Sequence, residues 1–457
     1  MYAADTIVAL ATPPGRGAVA VIRLSGPRAH EILHQLWTPL GPGALRPREL
    51  RLGRVFDRGQ EIDRALAVVM RGPRTLTGEN VAELHAHGGR YLVSRVLSAS
   101  IALGARAAEP GEFLRRGYLN GRLRLTEAEA IADLVDAQSE SSLSLAIGQL
   151  AGALQAKIAI LREKLISVGA QLEVQIDFSD EDVAPASAAE LVRQMDLLIN
   201  DVALLHTSYE RGRLLRDGAR ATIVGRPNVG KSSVLNLLLG SERAIVSAIP
   251  GTTRDVVEDS IQVGPHRLTL SDTAGIRAST DEVERLGIER SRAAAREADL
   301  LIAVFDCSAA LTCEDREVLR MSGSRAGVAL LNKCDLAPVV SAEALRESGL
   351  AMPVLAFSAK TAAGLPELRA ELERAVATLA GPPAGDGIAI TRERHRDALA
   401  RGLTALEAAR ASLLGAMPPE IVAVDIQAAA AALGAITGEV SSEDVLDAIF
   451  REFCIGK

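Results

Sequence analysis

Gly225-Arg-Pro-Asn-Val-Gly-Lys-Ser232 matches the phosphate-loop pattern G-x-x-x-x-G-K-[ST] without a gap. The apolar run Ala221-Thr-Ile-Val224 before it reads as a strand, and Ser233-Val-Leu-Asn-Leu-Leu-Leu239 after it reads as a helix closed by Gly240. That setting is what the motif needs. Backbone N–H groups over Asn228, Val229 and Gly230 and the positive helix N-terminus, with Ser233 in its first turn, cradle phosphates. Lys231 reaches the outer phosphates and Ser232 holds Mg²⁺. Such a loop says only that a nucleotide phosphate is bound.

The base is named further along. Asn332-Lys333-Cys-Asp335 follows the strand-like Val328-Ala-Leu-Leu331. A carboxylate there accepts both N1–H and N2–H₂ of guanine, a donor pair that adenine lacks. Ser358-Ala359-Lys360 closes another apolar run, Val354-Leu-Ala-Phe357, in the manner of a loop touching guanine O6. Between them, Leu268-Thr-Leu-Ser-Asp272-Thr273-Ala274-Gly275 is a strand ending in D-T-A-G. Asp272 there can bind Mg²⁺ through water and Gly275 can sense a γ-phosphate. Four motifs in order, each at a strand end, identify a GTPase domain.

Length and composition frame that domain. The chain has 457 residues, enough for roughly two to four domains. Hydrophobic residues reach 48% but aromatics only 3%, so the cores must be Leu, Ala and Val, which suits helices. A net charge of −7 argues against a general nucleic-acid coat, though not against a local basic patch. Cys307, Cys313, Cys334 and Cys454 form no C-x-x-C pair, so neither zinc nor a disulfide framework is indicated. Pro13-Pro14-Gly15 interrupts the first apolar stretch, no basic n-region precedes it, and no apolar run is long enough to span a bilayer. The expectation is a soluble, cytoplasmic protein with no membrane partner.

Residues 1–118 carry short β-like runs, Thr6–Leu10, Ala18–Leu24 and Ala65–Met70, with a helical stretch at Tyr91–Leu103, and read as a small α+β domain. Over 119–217 the period changes. Thr126-Glu-Ala-Glu129 reads as a capping box, and Ile147 to Leu172 as one long amphipathic helix. A second helix is expected around Glu190–Tyr209. The G domain occupies 218–380, and Gly381-Pro-Pro-Ala-Gly-Asp-Gly387 ends it as a linker. Helical periodicity resumes over 381–457, with a last helix capped at Ser441 or Ser442. The fold class is multidomain α/β: an N-terminal α+β domain, a discontinuous helical domain, and a Ras-like P-loop G domain inserted into it.

Stretches outside the G domain carry a family resemblance: Asp5–Gly17, Thr77-Gly-Glu-Asn80 with His85-Ala-His-Gly-Gly89, Glu109-Pro-Gly-Glu-Phe113, Ile176–Asp182 and Phe453-Cys-Ile-Gly-Lys457. Together they resemble the MnmE (TrmE) family of tRNA-modification GTPases, from the first ten residues to the last five. The resemblance implies an N-terminal folate-binding domain that also forms a homodimer. It further implies a flavoprotein partner, MnmG (GidA), in a hetero-oligomer. The pair would place an aminomethyl-type group on C5 of the wobble uridine of certain tRNAs, using a tetrahydrofolate derivative (5-formyl or methylene form).

Carried over residue by residue, the resemblance puts folate near Arg23, Glu79 and Arg122, with Lys457 approaching. A folate offers a carboxylate for arginine and a pterin amide edge for a carboxylate. The family often has lysine where Arg122 stands. Cys454, in the tail Cys-x-Gly-Lys, is implied in the modification chemistry; the plain alternative is a small residue packing a terminal helix. In the G domain the resemblance implies a K⁺ held by Asn228 and by Ser247, Ile249 and Thr252. These lie in a switch loop of Ser247, Ala248, Ile249, Pro250, Gly251, Thr252 and Thr253. Thr253 would join Ser232 on Mg²⁺, and Glu284 would orient the attacking water; the alternative for Glu284 is an ordinary exposed residue in a first helical turn.

Other features read more plainly. His85 and His87 alternate like strand residues and lack a third metal ligand nearby in sequence. The acidic run Asp177–Asp182 reads as a solvated turn. Arg46–Arg54, Arg115-Arg116 and Arg392–Arg401 each read as solvated faces, and any that cluster in space are candidates for tRNA phosphates. Two competing functions remain at this stage: an RNA- or ribosome-associated assembly GTPase acting as a conformational switch, and a self-assembling GTPase scaffold. Neither calls for a folate-like domain.

Overall fold

Two β-sheets and a helical bundle organise the described residues. The computed structural model describes residues 5–177, 187–241, 259–272, 295–323, 325–382, 387–439, 443–451 and 453–456. The first sheet has seven strands in the order Trp37–Pro39, Arg51–Asp57, Gln60–Met70, Val81–Gly88, Gly17–Ser25, Ile7–Leu10, Arg106–Ala107. Neighbours are antiparallel except the last pair. Helices Ala29–Leu36 and Arg90–Ala102 cover one face, where Ile32, Leu33, Val93 and Val96 pack on Ile22, Leu24 and Leu84. Successive strand residues point to opposite faces. Arg23 and its cross-strand partner Glu83 therefore lie on the other side. The strand Arg51–Asp57 was missed in the sequence because its alternation is blurred: apolar Leu52 is exposed, and glycine holds one of its two buried positions, Gly53 and Val55.

The bundle joins distant parts of the chain. Leu161, Leu165, Leu198 and Val202, from Ala153–Asp177 and Ala188–Thr207, share one core with Leu399, Leu406, Ile426 and Leu433, from Glu393–Leu414 and Pro419–Thr437. The G domain lies between these halves in sequence, so it is an insertion. Pro419–Thr437 is apolar enough to cross a membrane by composition, with mean hydropathy 1.5. Its Val422, Ile426, Leu433 and Ile436 are instead buried in this core.

Three local expectations need correction. The long helix from Ile147 is two helices, Glu140–Leu150 and Ala153–Asp177, bent by 47°. Gly152 sits at the break with φ +85°, a left-handed conformation that ends a helix. Ile147 is accordingly 53% exposed and contributes nothing to the seam. The expected capping box is displaced by two residues: the helix is Leu125–Asp136, Arg124 is its N-cap, and Glu127 accepts from Arg124 N at 2.9 Å. Arg116 is no solvated face either, being 1% exposed. The cap at Ser441 or Ser442 and most of the acidic run lie outside the described residues.

Glu129 is turned inward because a distant arginine takes its carboxylate. Arg394 donates Nε to Oε1 (2.6 Å) and Nη2 to Oε2 (2.7 Å). Arg392 Nη2 donates to Asp133 Oδ1 at 2.7 Å, and Arg216 Nε lies 3.1 Å from the same oxygen. His395 Nε2 stands 3.1 Å from Glu129 Oε2. Arg216 belongs to Tyr209–Asp217, which leads into the G domain, so this buried cluster ties both halves of the bundle to the entrance of the inserted domain.

Burial opposes the charge on Glu129, but the adjoining His395 and Arg394 outweigh it and hold the carboxyl below its usual range. Burial also lowers the pKa of His395 from 6.5. Both folded-state values lie below the unfolded ones, so the unfolded chain binds more protons and stability falls with acid. Loss should begin as pH drops below the unfolded histidine value of 6.5 and deepen below the carboxylate value of 4.5. Glu129→Gln, which leaves buried arginines without their counter-charge, is expected to cost about 3 kcal/mol or more. Urea unfolding followed by circular dichroism checks it, and an unchanged midpoint refutes it.

The second sheet has the order Val354–Ala356, Gly327–Asn332, Leu300–Asp306, Ala219–Val224, His266–Asp272, Asp259–Val263, parallel except for the last pair. Leu300–Asp306 and Gly327–Asn332 are buried throughout, which is why they read as unbroken apolar runs. The turn between the last two strands rests on helix Glu140–Leu150. Ser141 N donates to Pro265 O at 3.0 Å, and His266 Nδ1 lies 3.2 Å from Ser141 Oγ.

Candidate functional site

The carboxyl ends of five parallel strands converge, which is where open α/β sheets bind ligands. The phosphate loop leaves Ala219–Val224 and enters helix Lys231–Ser241. Two glycines are forced by close approach. A Cβ on Gly225 would lie 2.5 Å from Val304 O; one on Gly230, at φ +104°, would lie 2.3 Å from Asn332 Nδ2. Asn228 adopts a left-handed φ of 63° without being glycine, a strained state that surrounding structure must hold. A cavity of ≈ 500 Å³ is lined by Pro227, Asn228, Gly230, Lys231, Ser232 and Ser233. Lys231 Nζ donates to Gly225 O and Arg226 O, both at 2.9 Å, which keeps the ammonium within the loop.

Asn332 clamps the phosphate loop to the base loop. Its Nδ2 donates to Val229 O at 2.7 Å, its Oδ1 accepts from Ala359 N at 3.0 Å, and it is 2% exposed. Lys333, at φ 67°, donates Nζ to Asp306 Oδ2 at 2.6 Å. Burial raises the Asp306 pKa, but hydrogen bonds from Lys333 and Ser308 more than offset it, and the net shift is downward. Asp335 is exposed, and Ser358 Oγ donates to its Oδ1 at 2.7 Å. That bond lowers its pKa and keeps it an ionised acceptor. Lys360 is exposed beside it.

Asp272 ends its strand level with Ile223, just before the phosphate loop. The hydroxyl of Ser232 and a carboxylate at that strand end are hard oxygen donors of the kind Mg²⁺ takes. The side-chain amide of Asn228 is an oxygen donor on the cavity wall. Thr273, Ala274, Gly275, Glu284 and the loop Ser247–Thr253, including its Ala248, Ile249, Pro250, Gly251 and Thr252, lie outside the described residues.

The other candidate residues gather on the N-terminal sheet. Arg23 donates Nε to Glu83 Oε1 at 2.8 Å and lies 5.8 Å over the Phe113 ring. Its Nη1 donates to Gly456 O at 3.2 Å, so the C-terminal tail lies against this domain. Gly456, at φ +96°, is required there: a Cβ would stand 2.2 Å from Leu10 O. Pro110 pairs with Ile455 and Gly111 N donates to Cys454 O, which anchors the tail from its other side. Cys454 is exposed rather than packed under a terminal helix. Lys457 follows outside the described residues. Arg122 is exposed, its side chain next to Gly78.

Domain descriptions of known families fit this layout in both of its non-nucleotide parts: "GTP-binding protein TrmE N-terminus" matches residues 6–122 and "MnmE helical domain" matches residues 125–454. The chain belongs to the MnmE family of tRNA modification GTPases. It is 43% identical to the tRNA modification GTPase MnmE of Roseiflexus sp. (strain RS-1), across 99% of each chain. The protein of that name from Natranaerobius thermophilus is 41% identical, again over 99% of both. The one from Chloroflexus aurantiacus is 42% identical over 99% of this chain and 100% of that one. As an MnmE-family enzyme, the chain is a GTP hydrolase of tRNA modification.

Sequence reading missed what holds Glu79. Ser25 Oγ donates to its Oε2 at 2.7 Å and sits 2.7 Å from Thr77 Oγ1. Buried Arg116 donates Nη1 to both of its oxygens at 3.2 Å while also bonding Asp5 Oδ1 (2.5 Å) and Glu112 Oε1 (2.9 Å). The four-residue spacing of Glu112 and Arg116 was the available signal, since it places them on one helix face. His85 and His87 find carboxylates instead of a shared ligand: Glu83 at 3.2 Å and Asp63 at 2.7 Å.

Proposed function

We propose that this MnmE-family GTPase works with a flavoprotein of the MnmG (GidA) type to add an aminomethyl-type group to C5 of the wobble uridine of certain tRNAs. The one-carbon unit comes from a 5-formyl or methylene tetrahydrofolate bound near Arg23, Glu79 and Arg122. The work is done in the cytoplasm by a homodimer joined through residues 1–118, whose G domains approach when GTP binds. The observation that carries this reading is the tail: residues 453–456 return to Arg23, whose strand also carries Ser25, the partner of Glu79, and Cys454 is exposed on that tail. An assembly GTPase has no use for that arrangement. A carboxylate pre-set by Ser25 and Arg116 suits the paired N–H donors of a pterin edge, and an arginine fork suits the folate glutamate.

Calorimetric titration of the full-length protein with 5-formyltetrahydrofolate tests it. Saturable binding is expected, weakened about tenfold or more by Glu79→Gln, which removes a charge-assisted acceptor. Nucleosides from a strain lacking the protein should lose the C5-modified wobble uridine. Absence of folate binding, or a normal nucleoside profile, refutes the reading.

A further inference from the structure

Five arginines meet at one corner of the N-terminal sheet. The segment Arg46-Pro-Arg-Glu-Leu-Arg51 runs alongside the end of strand Gln60–Met70: Pro47 pairs with Val69, and Arg48 N donates to Val69 O at 2.8 Å. Two residues beyond Val69, the chain leaves the sheet as Arg71-Gly-Pro-Arg74. The Arg48 guanidinium donates to Arg74 O across the gap, and Arg51 folds onto Gly43 O and Pro42 O. Arg46, Arg48, Arg71 and Arg74 are all exposed. Arg48 holds a left-handed φ of 64°.

The acids of the adjoining hairpin lie toward its far end and are paired there. Asp57 is bonded to Arg95, Asp63 to His87, and Glu61 faces Arg54 and Arg64 at the far end of the hairpin. Glu49 is the single carboxylate within the two arginine segments. Five arginines against one carboxylate give this corner a local excess of positive charge on a chain of net charge −7.

We propose that this arginine rim docks the phosphate backbone of the tRNA. All the cations are arginine, whose planar fork matches phosphate oxygens two at a time. The position is apt as well. Arg71 and Arg74 open the same loop that ends in Glu79, and that loop is closed on itself. Thr75 Oγ1 donates to Glu79 O at 2.7 Å, and a Cβ on Gly72 would meet Gly78 O at 2.7 Å. Phosphate contacts carry no sequence information, but they fix register and orientation. Here they would hold the nucleic acid beside the proposed one-carbon pocket, and to that extent the inference rests on the function proposed above.

Fluorescence anisotropy of labelled tRNA with the full-length protein, over a salt series, tests the rim. The fourfold variant Arg46→Gln, Arg48→Gln, Arg71→Gln, Arg74→Gln should bind at least about tenfold more weakly at low salt. Its plot of log affinity against log salt should be shallower by about 3, as expected when about four phosphate contacts vanish. Arg193→Gln with Arg346→Gln, on exposed helices elsewhere, should change neither quantity. GTP affinity and the urea midpoint report whether the fourfold variant folds; if it does not, the pairs Arg46→Gln/Arg48→Gln and Arg71→Gln/Arg74→Gln should each show about half the slope change. Unchanged affinity and slope overturn the proposal. So does loss of flavoprotein binding with tRNA binding intact, which would assign the rim to an acidic protein surface. A wild-type protein with no tRNA affinity at any salt overturns the rim and the tRNA reading together, whereas folate binding would still stand.

Discussion

GTP hydrolysis by this enzyme is expected to be on the order of 10³-fold faster in potassium than in sodium at equal ionic strength. The expectation starts from a gap in the sequence. Ras-like GTPases orient the attacking water with a glutamine after D-T-A-G, and here that residue is Ile276, which cannot. No arginine finger is evident from the motifs, although Arg277 and Arg285 are close in sequence. Asn228 supplies the opening. It lines the phosphate cavity, and its left-handed backbone is a conformation that most residues avoid. With Ser247, Ile249 and Thr252 it would form an oxygen cage for a monovalent cation, whose charge would stand where an arginine finger stands, a contribution of roughly 10³–10⁵ in rate. Sodium is too small for a cage sized to potassium. Glu284 would orient the water, so Glu284→Ala should keep GTP affinity while nearly abolishing turnover. Steady-state rates in the two salts and fluorescent-nucleotide binding decide both halves. Equal rates in the two cations, or a Glu284→Ala enzyme with near-normal kcat, refute the assignment.

Asp335→Asn should exchange the enzyme's base preference, losing about 2 kcal/mol or more of GTP binding and gaining xanthosine triphosphate. That is about thirtyfold in affinity. Guanine presents two donors to Asp335, whereas xanthine has an oxygen at C2 that an amide N–H can meet. The loop should survive the change, because an asparagine oxygen can still accept from Ser358 Oγ, which now lies 2.7 Å from Asp335 Oδ1. The same bond lowers the Asp335 pKa, so its carboxylate stays ionised from neutral pH down into the carboxylate range, and GTP affinity should hold over that interval. Competition binding with GTP, xanthosine triphosphate and ATP measures the switch. Equal affinity of the unmodified protein for ATP and GTP would remove its basis.

Which parts of this were legible beforehand follows from the range of the forces involved. The phosphate loop, the N-K-C-D and S-A-K segments and the strands that aim them could be read directly. Each is a short backbone conformation set by near neighbours, and strands buried on both faces must be continuously apolar. Even the glycines at 225 and 230 carried their meaning, although Val304 and Asn332, the groups that exclude a side chain, became visible only in three dimensions. The same held for the bundle seam from Leu154 to Leu172, whose spacing alone marks a buried helix face. The break at Gly152 did not show in that spacing, because the apolar pattern runs on through it.

Tertiary structure alone decided the partners of buried charge. Glu129 looks like a helix cap until Arg394 arrives from 265 positions away. Arg116 looks solvated until Asp5, Glu79 and Glu112 close around it. Arg23 meets Gly456 across 433 positions. A charged side chain advertises its sign but not its mate, and the Coulombic gain that allows burial depends on a distance that no local spacing encodes. The sequence by itself therefore determined the guanine-nucleotide site and the helical periodicity. The placement of the C-terminal tail against Arg23, and of four exposed arginines on one rim of the same domain, was decided by the packing of the whole chain.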